Sequence, residues 1–360
     1  MPMIARADVV GSLLRTAYLL QARKAWREGN LSDAEVHAAE DRAVKEAVAL
    51  QEDAGIDAIT DGEFRRSNFI ATIGVRDARD GSLTGFKTVE TNANWLRLGR
   101  NADGSDGGLV QTETGPRSLV VGKIGVRRDV VAQEFPFLAG NARNARPKFT
   151  FPAPSWHRVA WEAEHSRDAY PTPRDFLLAM RDHTRAVVEQ LIGLGCDYIQ
   201  LDAPNYTQWH VDPRIRAAFA AWGRDLDQEL VEDAEIDNSV FEGTTGITRA
   251  IHLCRGNAPG GRWLADGGYG RIAAELFPRL TNCDALLLEY DTPRAGDFAP
   301  LAHVRPDTTA VLGLITTKGG ALEDAAAVEA RIREAAALSR WNASPSARNA
   351  ALPRATMPRP

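Results

Sequence analysis

Short apolar runs alternate with helical stretches along most of this chain, and several of those runs end in a polar residue. No other feature limits the fold as strongly. Residues 5–10 read as a strand that runs into Gly11-Ser12. Ser32-Asp33-Ala34-Glu35 has the spacing of a capping box, with a helix expected to about Ala54 and a stop at Gly55. Residues 56–60 form a second strand, ending in Asp61-Gly62-Glu63. The rhythm breaks at about 70–146, a stretch rich in Gly, Asn, Thr and Val that reads as a β-hairpin-like insertion, not a helical layer. It resumes with strands at 148–151, 198–201, 250–253, 285–288 and 310–314. Helices are expected at 173–194, within 213–245, at 270–281 and at 322–337.

Strand-then-helix order predicts a parallel sheet with helices packed outside it. Ser12, Glu63, Asp202, Cys254 and Glu289 all stand just past the C-terminal end of an apolar strand. An open doubly wound sheet gathers its site at one switch point, whereas a barrel builds it from the ends of many strands. The expected fold is therefore α/β, a (β/α)8 TIM barrel over residues 1–337 with the β-rich insertion after strand 2. Seven strands can be counted. The eighth is missing or altered, because residues 338–360 read as an aberrant, disordered tail.

Composition excludes several classes. The chain has 360 residues, 44% hydrophobic and 25% charged, with a formal net charge of −5. That balance gives no reason to expect nucleic acid or an anionic membrane as partner. No apolar stretch is long enough to span a bilayer, and the first ten residues lack a signal-peptide core. Three cysteines, Cys196, Cys254 and Cys283, are too few for a disulfide framework. A reducing cytoplasm is expected, where cysteines are buried, catalytic or metal-bound.

His252-Leu253-Cys254 places an imidazole and a thiol on the same side of a strand, since side chains alternate with period two. Both suit zinc, and Glu289 at the next strand end supplies a third donor type. The plain reading of such a pair is a buried His beside a small hydrophobe. Its surroundings, His252-Leu253-Cys254-Arg255-Gly256-Asn257 and then Leu288-Glu289-Tyr290-Asp291, raise the odds of metal. Cys196 reads as a small buried hydrophobe, and Cys283 lies at the wrong end of its strand for a barrel site. Trp156-His157 and Trp209-His210 could stack on a flat ligand or simply pack. Arg255 could bind a carboxylate or pair with an acid.

Those two segments, with Val9-Val10-Gly11-Ser12, Asp61-Gly62-Glu63-Phe64, Leu201-Asp202-Ala203-Pro204 and Val311-Leu312-Gly313-Leu314, resemble the short, single-barrel members of the cobalamin-independent methionine synthase family. The likeness runs from about residue 4 to 337. It implies a Zn2+-dependent methyltransferase of methionine biosynthesis. His252, Cys254 and Glu289 would be metal ligands, and Ser12, Glu63 and Asp202 would bind the amino-acid end of a homocysteine-like thiol. Without the resemblance, Glu63 and Asp202 read as strand-end caps or surface ion pairs. The implied partners are a small-molecule thiol and a methyl donor whose identity is open, as is assembly as a homodimer.

The pattern breaks at its end. The family's second zinc thiol should come from the last strand, and no Cys follows Cys283. A three-ligand site remains workable, but an absent eighth strand also exposes two sheet edges. A one-base frame shift near Leu338 would repair both. Regrouped codons across residues 349–354 can read Cys-Gly-Phe-Ala-Ser, provided Asn349 and Ala351 use codons ending in T and Leu352 one starting with T. As written, the chain is expected to bind zinc weakly and to be poorly stable at its C-terminus. Three other readings stand beside the first. One is alkyl transfer to a zinc-bound thiolate from an epoxide-type electrophile. Another is the metal-free uroporphyrinogen decarboxylase barrel, which His252, Cys254 and Glu289 argue against. The last is a non-catalytic barrel that binds a thiol or amino acid.

Overall fold

The computed structural model describes residues 7–67, 69–72, 82–91, 95–97, 110–112, 115–258, 262–319 and 321–338. In chain order the strands are β1 (Ala58–Ile59), β2 (Leu83–Thr91), β3 (Trp95–Arg97), β4 (Val110–Thr112), β5 (Gly115–Val126), β6 (Arg146–Pro147), β7 (Phe149–Pro152), β8 (Tyr198–Asp202), β9 (Thr248–Leu253), β10 (Asn257–Ala258), β11 (Arg262–Trp263), β12 (Ala285–Glu289) and β13 (Thr309–Gly313). Five of them form a parallel sheet in the order β13-β12-β9-β8-β7. β1 pairs in parallel with β6, and Lys148 N donates to Ile59 O at 2.8 Å where β6 runs into β7. Asp8 then bridges Ala58 in parallel. Parallel pairing thus passes through seven segments. Among the described residues no strand links β13 back to Asp8, and the sheet is not closed.

The fold is a mixed α/β one in which helices cover the outer face of this sheet. Phe149, Phe151, Ile199, Leu201, Ile251, Leu253, Leu286 and Leu288 point outward into the largest apolar cluster, shared with Phe176, Met180 and Leu191 of the Pro173–Gly193 helix. The residues between them point inward. Ala58, Tyr198, Ala250, Ala285 and Leu287 form a separate small cluster at the N-terminal end of the inner face. Farther along, the same face carries Thr150, Gln200, Asp202 and His252, so it changes from apolar to polar toward the C-terminal ends. Period two therefore delivers the polar side chains to one end of the sheet.

Most elements fall where the sequence puts them, two differ, and one expectation lies outside the described residues. The expected strand at 5–10 is reduced to the single bridge at Asp8, with residues 5 and 6 outside the described residues. The insertion does contain antiparallel pairs, β2 with β5 and β3 with β4. It also contains a helix, Val130–Asn141, capped by the Asp129 carboxylate, which accepts from Ala132 N at 2.9 Å. This helix buries Val131, Phe135 and Leu138, and their packing outweighs the helix-breaking Pro136. The last described helix, Ala325–Leu338, ends where the expected tail begins, so the expectations for the tail and the eighth strand lie outside the described residues.

Candidate functional site

The turn after β1 builds the first half of the site. Gly62 has φ +69°, and Glu63 has φ 56°, the one positive value at a non-glycine among the described residues. Local bonds hold the turn: Thr60 Oγ1 donates to Gly11 O at 2.6 Å, and Glu63 N donates to Asp61 Oδ1 at 2.8 Å. Arg15 Nη2 clasps it from outside, donating to Glu63 O at 3.2 Å and Arg66 O at 3.0 Å. The buried Glu63 carboxylate accepts from Ser12 Oγ and, at 2.9 Å, from Thr150 Oγ1. A Cβ at Gly11 would come 2.9 Å from Glu63 Oε1, so any side chain there would have to push that carboxylate aside.

Asp202 ends β8 on the same face. Its carboxylate accepts from Gln200 Nε2 at 2.7 Å. Burial, then the nearby Glu63 charge, pushes its pKa up to about 8. Ser12, Glu63 and Asp202 are thus brought together as two buried, mutually repelling carboxylates with one hydroxyl. The nearest protein cation, Arg66, has Nη1 3.7 Å from Glu63 Oε1, but its short hydrogen bonds go to other groups. Arg66 Nε donates to Glu134 at 2.7 Å and Nη1 to Thr150 O at 2.7 Å, while Lys148 pairs with Asp8. Such a pair favours a ligand that brings its own positive charge.

The second half lies across β9 and β12. His252 Nδ1 is 3.1 Å from Leu287 O, which sets the tautomer with the proton on Nδ1 and leaves Nε2 as the basic nitrogen. Burial lowers the imidazole to about 4, so it is neutral and able to ligate. Cys254 Sγ accepts from Gly256 N at 3.0 Å, and burial followed by the Glu289 charge pushes the thiol up to about 12. It ionises near neutral pH only beside a positive charge. Burial opposes ionisation of Glu289 too, but Arg294 and Lys318 overcome it and hold the carboxyl down to about 2. Its Oε2 accepts from Arg255 N at 2.6 Å, and its Oε1 meets Arg294 Nη2 and, at 3.3 Å, Lys318 Nζ.

Imidazole, thiol and carboxylate are the right donor types for zinc. In position, Glu289 is turned toward Arg294 and Lys318, and among the described residues no three His, Cys, Asp or Glu side chains are grouped closely enough to hold a metal. Arg255 is structural. Its buried guanidinium donates to Gly267 O at 2.8 Å and Glu289 O at 2.6 Å. Cys196 and Cys283 are buried away from the site's residues, in the outer apolar cluster. Trp156 and Trp209 stack on each other, with ring centroids 5.5 Å apart and 18° between planes. Their neighbours His157 and His210 are buried.

Sequence reasoning missed Thr150, Gln200, Lys148, Arg294 and Lys318. For Gln200 the signal was present, since it lies two residues before Asp202 on one strand and so shares its face. A lysine opening the apolar run Lys148-Phe149-Thr150-Phe151 was a similar signal. Arg294 and Lys318 come from loops after β12 and β13, and local sequence gives no sign that they meet at Glu289.

Residues 5–98 match the family model described as the cobalamin-independent synthase catalytic domain. The chain is 32% identical over 333 residues to the uncharacterized protein YxjH of Bacillus subtilis, covering 92% of this chain and 82% of that one. YxjG of the same organism, also uncharacterized, is 30% identical over 341 residues. Among solved structures, a Listeria monocytogenes protein provisionally assigned as a vitamin-B12 independent methionine synthase superposes with TM-score 0.66 at 25% identity, covering 92% of this chain and 86% of that one. No helix among the described residues is long and apolar enough to cross a membrane.

Proposed function

This chain belongs to the cobalamin-independent methionine synthase family, and we propose that it transfers a methyl group to a thiol amino acid such as homocysteine, serving methionine biosynthesis in the cytoplasm. The scaffold in this reading is one (β/α)8 barrel over residues 1–337. The observation that carries the proposal is the buried Glu63–Asp202 pair with Ser12 on it, on the same end of the sheet as His252, Cys254 and Glu289. Two carboxylates share one nearby cation, Arg66, whose hydrogen bonds go to Glu134 and Thr150, and such a pair binds an ammonium group by charge-assisted hydrogen bonds. That grip sets the amino-acid end of the substrate and directs its sulfur toward β9 and β12.

His252, Cys254 and Glu289 would hold zinc, with Glu289 exchanging its Arg294 and Lys318 contacts for the metal. Zinc held there would supply a positive charge that favours the ionised form of Cys254 and of the substrate sulfur near neutral pH. The sulfur lone pair forms the new S–C bond to the methyl carbon. The bond from that carbon to the donor breaks, and its electron pair leaves with the donor. A second reading, a barrel that binds a thiol amino acid without catalysis, is favoured by the Arg294 and Lys318 contacts on Glu289.

One assay separates the two. Full-length protein with zinc sulfate and L-homocysteine is given 5-methyltetrahydropteroyl mono- or triglutamate, and methionine is read by mass spectrometry. The proposal expects methionine from the wild type and a loss of at least about a hundredfold in Cys254→Ser. Homocysteine binding with no methionine from either donor would support the non-catalytic reading instead.

A further inference from the structure

Behind the carboxylate pair, the inner face of the sheet carries a buried polar chain that the reaction itself does not use. Lys148 Nζ pairs with Asp8 and donates to Gln200 Oε1 at 3.0 Å. Tyr198 OH also donates to Asp8. Gln200 Nε2 donates to Asp202 Oδ1 at 2.7 Å and to Val10 O at 2.8 Å. Lys148 and Gln200 are almost wholly buried, so water does not compete for these bonds.

Donor and acceptor chemistry allows the Gln200 amide one orientation. An ammonium has no acceptor, so the amide oxygen must face Lys148. A carboxylate and a carbonyl face the other end, so the amide nitrogen must be there. A flipped amide would set its N–H2 against the ammonium and its oxygen against two acceptors, losing three bonds in a buried place. Asp8 in turn pairs with Lys148 and fixes it at the foot of the chain, countering the burial that lowers its pKa. The Asp202 atom that Gln200 engages is Oδ1. Oδ2 takes no part in that bond.

We propose that Gln200, locked by Lys148, is the positioning residue that aims Asp202 at the substrate ammonium and so sets the preference for thiols that carry an amine. The proposal rests on the functional reading above, in which Glu63 and Asp202 hold that ammonium. Neither Gln200 nor Lys148 touches substrate. Their effect acts through the direction of one carboxylate, so it belongs to amine recognition and not to sulfur or methyl chemistry.

The test compares two probes that differ only in the amine, L-homocysteine and 4-sulfanylbutanoic acid. Each is titrated by calorimetry into zinc-supplemented full-length protein. Gln200→Glu keeps the acceptor for Lys148 but replaces the donor to Asp202 by an oxygen. Lys148→Met removes the lock. Asp202→Asn sets the floor of selectivity. Wild type is expected to prefer homocysteine by about tenfold or more, the scale of one charge-assisted hydrogen bond. Gln200→Glu should bring that ratio close to the Asp202→Asn floor while 4-sulfanylbutanoic acid binds within about twofold of wild type. A general packing defect would weaken both probes together. Should Lys148→Met fail to fold, Gln200→Glu decides alone, since its size and its Lys148 contact are preserved. A wild type that does not distinguish the probes would overturn the ammonium site and this inference with it. A wild type that discriminates, with Gln200→Glu discriminating equally well, would overturn the inference alone.

Discussion

Glu63 holds a left-handed backbone conformation, which costs a non-glycine residue about 1–3 kcal/mol. The bonds from Asp61, Arg15, Ser12 and Thr150 offset that cost and fix the carboxylate. Gly11 is part of the same arrangement, because any Cβ there meets the carboxylate first. Gly11→Ala should therefore displace Glu63 and raise KM for the thiol by roughly tenfold or more, with little change in thermal stability. Steady-state kinetics beside a melting curve would check this, and an unchanged KM would contradict it. A different carboxylate contributes to acid stability. Glu52 accepts from Arg143 N at 2.7 Å, Asn144 N at 2.8 Å and Ala145 N at 3.1 Å, and these bonds hold it down to about 2. A lowered folded-state pKa stabilises the fold above the unfolded value, and that stability is lost as pH falls. Wild type should thus lose more stability than Glu52→Gln between about pH 4.5 and pH 2. Urea midpoints across that window test it, and parallel curves would count against it.

At the scale of elements, the helices that carry their own punctuation were legible. The Asp33–Asp53 helix has the Ser32–Glu35 capping box in full and stops at Gly55, φ +74°. Ser32→Ala should cost about 1 kcal/mol in chemical unfolding, and a change near zero would show that tertiary packing alone sets that boundary. The Pro173–Gly193 helix is marked in the same way by Thr172 and Asp175. The Val130–Asn141 helix was hidden inside a stretch whose Gly, Asn, Thr and Val content reads as β-hairpin-like, whereas Phe135 and Leu138 gain their stability from contacts distant in sequence. The site divides along the same line. The placement of Ser12, Glu63, Asp202, Cys254 and Glu289 past strand ends, and of His252 on Cys254's side of its strand, was legible from strand pattern and period two, whereas the roles given to them came from the family resemblance. Arg294 and Lys318 could not, because their meeting at Glu289 depends on how two loops fold over the sheet.

At the scale of the molecule, the described sheet runs through seven parallel segments without closing. β8 and β9 each have a strand on both sides, while β13 pairs only with β12 among the described residues, and none of its residues is fully buried. Amide exchange should accordingly be faster in β13 than in β8 and β9, because an edge strand opens without breaking a second ladder. Equal protection by mass spectrometry would mean that something covers that edge. The account as a whole depends on whether this end of the sheet binds zinc and a thiol together. Metal content of the purified chain, by elemental analysis after equilibration in zinc-containing buffer with and without L-homocysteine, tests this most directly. The account predicts about one zinc per chain, weakly held, lost in Cys254→Ser and changed in coordination by homocysteine. Protein that retains no zinc under either condition would contradict it.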